Sequence, residues 1–156
     1  MSLYVLKRVQ RLRVSLDEAW SFFSNPTNLS RITPPDMDFS IVSDTPDEIH
    51  EGLIIEYRVR PLLSIPVTWI TEITHVKEPY YFTDEQRIGP YRIWHHEHRF
   101  DKIEGGTEMT DTVHYVLPFG FIGDIIHSLI VRRRLIRIFD FRREYLRDKF
   151  GEIEQN

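Results

Sequence analysis

The sequence predicts an α+β fold: a seven-stranded antiparallel sheet gripping a long C-terminal helix, with two short helices after the first strand. Three observations carry it. Alternating apolar and polar runs recur between Pro, Gly and Asp signals, a capping box opens a short amphipathic segment early in the chain, and the last stretch places apolar residues at helical spacing.

The elements follow in order. Leu3 to Val14 alternates as a first strand. Ser15-Leu-Asp-Glu18 is a capping-box pattern, in which each side chain accepts from the other residue's backbone N–H, so a helix starts near Leu16. It presents Ala19, Trp20, Phe22 and Phe23 before Asn25-Pro26 ends it. A second short helix is expected from Pro26 to Ile32, stopped by Pro34-Pro35. Strands are then expected near Asp38–Ser43, Leu53–Arg60, Pro66–Val76, Tyr81–Arg87, Arg92–Ile103 and Thr107–Leu117. Pro118-Phe-Gly120 breaks the last of them, and a single rod of roughly 40 Å at 1.5 Å per residue is expected from about Ile122 to Phe150. On a helical projection Ile122, Ile125, Leu129, Ile136, Phe139, Leu146 and Phe150 form the stripe that should lie on the sheet.

A chain of 156 residues suggests one domain, 1–151, with 152–156 as a frayed tail. Such a domain buries roughly 70% of its unfolded surface, enough for a core with room for a cavity. The balance of 41% hydrophobic to 28% charged residues excludes a disordered chain, and 13% aromatics point to bulky packing or an apolar pocket. A net charge of -4 gives no general attraction to nucleic acid or anionic membrane, so no nucleic-acid partner is expected. Without cysteine there are no disulfides and no thiolate chemistry. The first residues alternate and carry charge early, unlike a signal peptide, and no apolar run approaches the roughly 18 residues of a spanning helix. A cytoplasmic location is therefore expected.

The site is expected on the strands from Tyr81 to Leu117. By period two, Trp94, His96, His98 and Phe100 share one face, and Met109, Asp111, Val113, Tyr115 and Leu117 share the facing one. With Gly105-Gly106 as the loop, Phe100 faces Asp111, His98 faces Val113, His96 faces Tyr115 and Trp94 faces Leu117. A turn at Lys77-Glu78 sets Trp69 against Gln86, Thr71 against Asp84 and Ile73 against Phe82. A loop centred on Pro90 sets Gln86 against Trp94, Asp84 against His96 and Phe82 against His98. The result is a polar row of Thr71, Asp84, His96 and Tyr115 over an apolar row of Ile73, Phe82, His98 and Val113.

Titratable groups on such a face must be paired, hydrated or functional. Asp84 is expected to fix the ring of His96, and His98 to pair with Asp111; the competing interpretation is that these pairs only satisfy one another. His96 and His98 are the candidate acid–base residues. His96-x-His98 also puts two imidazoles on one strand face with Asp84 or Asp111 as an oxygen donor, but the spacing is common in strands and no metal or other cofactor is expected. His50, His75 and His95 should be solvated. On the C-terminal helix the projection turns Arg132 and Arg143 inward, toward Asp84, Asp111 or a ligand carboxylate, and Arg134 and Arg137 outward. The other basic residues of that helix are interrupted by Asp140, Glu144 and Asp148, as on a solvated face. Leu62, Leu63, Phe119 and Phe121 are apolar for loops.

The order strand, two helices, six strands, helix resembles the helix-grip superfamily, which includes steroidogenic-acute-regulatory-type (START) lipid-transfer domains, birch-pollen allergens and polyketide cyclases (SRPBCC). The residues that carry the resemblance are Ser15-Leu-Asp-Glu-Ala-Trp-Ser-Phe-Phe, Asn25-Pro-Thr-Asn-Leu, Trp69-Ile-Thr-Glu-Ile, Phe82-Thr-Asp-Glu-Gln86, Trp94-His-His-Glu-His-Arg-Phe100 and Gly106-Thr-Glu-Met-Thr-Asp-Thr-Val-His-Tyr115. The chain looks closest to small bacterial cyclase-like, ligand-binding members. The resemblance implies a small hydrophobic or aromatic ligand, such as a lipid, quinone or polyketide-like molecule, held between sheet and C-terminal helix, with Leu62, Leu63, Phe119 and Phe121 at the rim of the cavity entrance. The expected contacts are Trp69, Thr71, Asp84, Gln86, Trp94, His96, His98, Asp111, Tyr115, Arg132 and Phe139. A cyclase, dehydratase or isomerase using His96 or His98, and a regulatory interaction domain, are the alternatives, because one fold hosts many functions.

Overall fold

The computed structural model describes residues 2–61, 65–126 and 130–154. The strands are β1 (Tyr4–Leu12), β2 (Ser40–Ile41), β3 (Ile54–Val59), β4 (Val67–Lys77), β5 (Tyr81–Ile88), β6 (Ile93–Ile103) and β7 (Gly106–Val116). They form one seven-stranded sheet in the order β1-β7-β6-β5-β4-β3-β2, antiparallel throughout. Helices α1 (Leu16–Phe23), α2 (Gly120–Ile126) and α3 (Arg132–Phe150) complete the α+β architecture expected from the sequence. Among the described residues no helix is long and apolar enough to cross a membrane.

α1 opens as its sequence dictates. Ser15 Oγ accepts from Glu18 N and the Glu18 carboxylate accepts from Ser15 N, both at 3.3 Å. Its buried residues Ala19, Trp20, Phe22 and Phe23 pack under the sheet, with Trp20 edge-on to Phe82 and Phe100. The second short helix is a 3-10 turn over Pro26–Ser30, capped by Asn25 Oδ1, which accepts from Thr27 N at 3.0 Å. Pro34-Pro35 does not end helical structure outright, because Pro35–Met37 forms another 3-10 turn.

The faces of the β6–β7 hairpin agree with the alternation, but its register differs by two residues from the expected one. Phe100 faces Met109, His98 faces Asp111, His96 faces Val113 and Trp94 faces Tyr115. The loop is Glu104-Gly105, with Gly105 at φ +79°, and Gly106 belongs to β7. The reason lies on a third strand: a Cβ at position 106 would sit 2.0 Å from the Leu12 carbonyl oxygen of β1, so the second glycine serves a close backbone approach rather than the turn. Between β4 and β5, Thr71 faces Gln86, Ile73 faces Asp84 and Val76 faces Phe82. Here a three-residue turn after Lys77 and a register shift between Ile73 and His75 replace the simple two-residue turn. Only the β5–β6 register is as expected, with Asp84 opposite His96 and Phe82 opposite His98.

Of the rod expected from Ile122 to Phe150, the described residues are helical up to Ile126 and from Ile130 onward, with Ile130 and Val131 in a wider π-type turn that leads into α3. A π-type turn changes the angular phase, so the projection begun at Ile122 does not carry across it. Ile122 and Ile125 are exposed, whereas Leu135, Phe139, Arg142 and Leu146 are buried on α3. Leu129 lies outside the described residues. Gly151 closes α3 at φ +77°, its N–H donating to Arg147 O at 2.8 Å. Within the stretch where fraying was expected, Glu152 and Ile153 are docked on β1: Arg13 N donates to Gly151 O, Ile153 N donates to Arg11 O, and Glu152 bridges to Leu12.

Two apolar clusters result. One gathers α1, Phe82, Phe100, Met109 and Leu146; the other joins Tyr91, Trp94, Val113 and Tyr115 to Val131, Leu135 and Phe139. Trp69 packs against both.

Candidate functional site

Between the sheet and α3, where the two clusters meet, is a cavity of about 170 Å³. Most of its wall is apolar. Phe22, Phe23, Ile55, Phe82, Leu135, Ile138 and Phe139 contribute, and at one end Trp69, Tyr91 and Trp94 form an aromatic corner with centroid separations of 4.8 to 5.6 Å. Trp69 Nε1 donates to Thr71 Oγ1 at 3.2 Å, which settles the indole N–H without a ligand.

The polar part of the wall comprises Asn25, Asn28 and Thr33 together with Tyr57, Thr71, Asp84, His96, His98, Arg134 and Arg142. Strand alternation on β6 aims both imidazoles inward, and their rings lie 3.7 Å apart. Each imidazole spans two carboxylates. His96 Nε2 is 2.9 Å from Asp111 Oδ1 and its Nδ1 is 3.6 Å from Asp84 Oδ2. His98 is turned the other way, with Nε2 2.8 Å from Asp84 Oδ2 and Nδ1 2.9 Å from Asp111 Oδ1, the latter without hydrogen-bond alignment. Behind Asp111, Arg142 Nη1 donates to both carboxylate oxygens at 3.4 and 3.5 Å, and its guanidinium lies 4.8 Å from the Phe139 ring. The two separate pairs expected from the sequence are thus one four-membered ring anchored by an arginine.

Burial opposes charge on every member, and the contacts decide the outcome. Burial, reinforced by the neighbouring charge on His98, lowers the His96 pKa despite Asp111 and Asp84. For His98 burial acts the same way but the two carboxylates outweigh it, and the pKa is raised. Burial would raise Asp84, yet the His98 hydrogen bond and the charges of His96, His98 and Arg142 hold it below the usual range. Asp111, also opposed by burial, is held well below that range by the Arg142 charge and the two imidazoles. Burial and then the Asp84 charge push the Tyr57 hydroxyl up, so it stays a neutral donor facing the cavity.

Of the expected contacts, Trp69, Thr71, Asp84, Trp94, His96, His98 and Phe139 line the cavity. Asp111 is fully buried behind the imidazoles. Gln86 instead ties the β5–β6 turn, donating to Tyr91 O at 2.6 Å and accepting from Tyr91 N at 3.2 Å. Tyr115 stacks on Tyr4 outside the cavity wall. Arg132 and Arg143 are exposed, contrary to the projection, and Arg142 takes the inward place. Arg134, expected outward, lines the cavity and reaches Asp36 at 2.8 Å and Pro61 O at 3.1 Å. At the expected rim, Phe119 is exposed, while Leu62, Leu63 and the Phe121 side chain lie outside the described residues.

Tyr57, Tyr91 and Arg142 were not expected from the sequence. Tyr57 shares the period-two face of Ile55 and Val59, and Arg142 continues the spacing of Leu135, Phe139 and Leu146, so both had a pattern to find them by. Tyr91 sits in a turn and had none.

Solved structures of the same fold are similar over nearly the whole chain. Protein Ms6760 of Mycobacterium smegmatis is 15% identical with a TM-score of 0.65, covering 96% of this chain and 98% of that one. Major latex-like protein 151 of Panax ginseng is 11% identical with a TM-score of 0.69, covering 95% and 97%. Ara h 8.0201 is 12% identical with a TM-score of 0.59, covering 94% and 99%. At these identities the likeness establishes the fold, and the fold is helix-grip, as the sequence resemblance implied. Neither a protein-family model nor any of the curated proteins matches the sequence.

Proposed function

We propose that the protein binds a small, largely apolar or aromatic molecule, of lipid, quinone or polyketide-like character, in the cavity between sheet and α3. The single observation that carries this reading is an apolar hollow of about 170 Å³ with Asp84, His96 and His98 together on its sheet wall. A ligand hiding about 200 Å² of apolar surface gains about 5 kcal/mol, before the cost of ordering it. The Tyr57 hydroxyl and the Asp84 carboxylate at the wall are a donor and an acceptor for one or two polar atoms of such a molecule.

Trp69 and Trp94 make the test direct, because both indoles line the cavity. Titration with 2-naphthol should quench or shift tryptophan emission saturably, and native mass spectrometry of protein from its source cells should release one bound organic molecule. No saturable change with 2-naphthol or a medium-chain fatty acid, together with a bare mass, would remove this reading.

A second reading is acid–base catalysis on the bound molecule, favoured by the two imidazoles that face the cavity between Asp84 and the buried Asp111. Loss of turnover but not of binding in His96→Ala would support it; unchanged turnover would exclude His96.

A further inference from the structure

We propose that Asp84, His96 and His98 form a site for a divalent first-row transition cation, Zn2+ or Fe2+ in character, with Asp111 and Arg142 holding the two imidazoles from behind. The three groups each offer one ligand atom, and these atoms lie within 4.8 Å of one another. Two imidazoles and one carboxylate are a donor set that suits such ions and leaves coordination positions open.

The back of the site argues more strongly than the front. Imidazoles that ligate a metal turn their other nitrogen to a carboxylate, carbonyl or water, which fixes ring and tautomer. Here the nitrogens facing away from Asp84, Nε2 of His96 and Nδ1 of His98, both lie 2.9 Å from the same Asp111 oxygen. Asp111 is in turn pinned by Arg142. On the front, His96 Nδ1 lies 3.6 Å from Asp84 Oδ2, too long for a hydrogen bond, and His98 Nε2 lies 2.8 Å from the same oxygen. A cation there satisfies His96 Nδ1, His98 Nε2 and Asp84 together. His98 Nδ1, buried and 2.9 Å from Asp111 Oδ1 without hydrogen-bond alignment, is then the nitrogen that turns its N–H to Asp111.

All three ligands line the cavity, so the open positions face it. On the ligand-binding reading above, an oxygen of the bound molecule would complete the coordination sphere. The cation site itself does not depend on that reading.

The test uses the full chain without a histidine tag, stripped with chelator and titrated with Co2+ as the probe, with Zn2+ as competitor. The expected result is one saturable equivalent with visible absorption bands, reversed by Zn2+, and lost in Asp84→Asn. Asp111→Asn should weaken binding by about 10- to 100-fold. Paramagnetic effects of Co2+ on the wild-type NMR spectrum need no variant and should centre on His96, His98 and Phe82. Absence of a saturable signal, binding undiminished in Asp84→Asn, or paramagnetic effects centred on the outer-face pair His95 and His114 would each overturn the site. If Co2+ fails while tryptophan emission still answers to 2-naphthol, the cation site falls and ligand binding stands.

Discussion

Consecutive residues of β6 carry the same kind of contact on opposite faces of the sheet. His95 meets Glu85 at 3.0 Å on the outer face, where the two side chains are 41% and 30% exposed. His96 meets Asp111 at 2.9 Å on the inner face, where they are 5% and 1% exposed. The lengths are nearly equal, so length does not distinguish them. Solvent does. Outside, water and salt screen the pair and an unpaired partner is simply hydrated. Inside, each charge has been taken from water, and removal of one partner strands the other. The same residue types are therefore a surface feature at one position and a fixed, mutually dependent cluster one residue later.

The largest expected effect is Asp111→Ala. It leaves the buried Arg142 guanidinium without its carboxylate and His96 Nε2 without its hydrogen-bond partner. A loss of about 3–5 kcal/mol is expected in urea unfolding. A loss below about 1 kcal/mol would mean that the inner cluster is hydrated like the outer one. Next is a double-mutant cycle joining Asp111→Asn and Arg142→Met, for which a coupling of about 0.5–3 kcal/mol is expected. The matching cycle of His95→Ala with Glu85→Ala should give about 0.2–1 kcal/mol and fade in molar salt. Equal couplings on the two faces would break the comparison.

The smallest effect is expected at the rim, where Asp36 bridges Arg134 at 2.8 Å and Arg137 at 3.1 Å. Slight burial opposes its charge, but the two arginines prevail and its pKa is lowered. A carboxylate with a depressed folded pKa contributes stability above its ordinary value, about 3.9, and loses it as pH falls below that value. Asp36→Asn should therefore cost less than about 1 kcal/mol at neutral pH and converge with wild type in strong acid. A difference that grew on acidification would contradict the pairing.

How much of this was legible in the sequence depended on whether a local pattern or a distant contact decided the outcome. Period two correctly sorted His96, His98 and Asp111 to the inner face and His95 to the outer one, because alternation is a property of the strand itself. The capping box at Ser15 and Glu18 is equally local. Register was not. Gly106 looks like half of a turn until Leu12 of β1 is seen against it, and Thr74 gives no sign in sequence of the register shift beside it. The inward arginine was misplaced because the helical phase was carried from Ile122 across the wider turn at Ile130 and Val131; restarted at Leu135, the same arithmetic selects Arg142. The ring of two histidines and two aspartates could be read only as candidate pairs, since which nitrogen meets which oxygen follows from ring orientation, and nothing in a one-dimensional pattern encodes that.

Ligand binding requires a hollow interior between sheet and α3, and diffraction from a xenon-pressurised crystal tests this without assuming any ligand. Apolar cavities of roughly 150 Å³ stay dry and take up xenon. The account predicts xenon density among Trp69, Trp94 and Phe139, beside the imidazoles of His96 and His98. Side chains filling that space, with no xenon between sheet and helix, would contradict it.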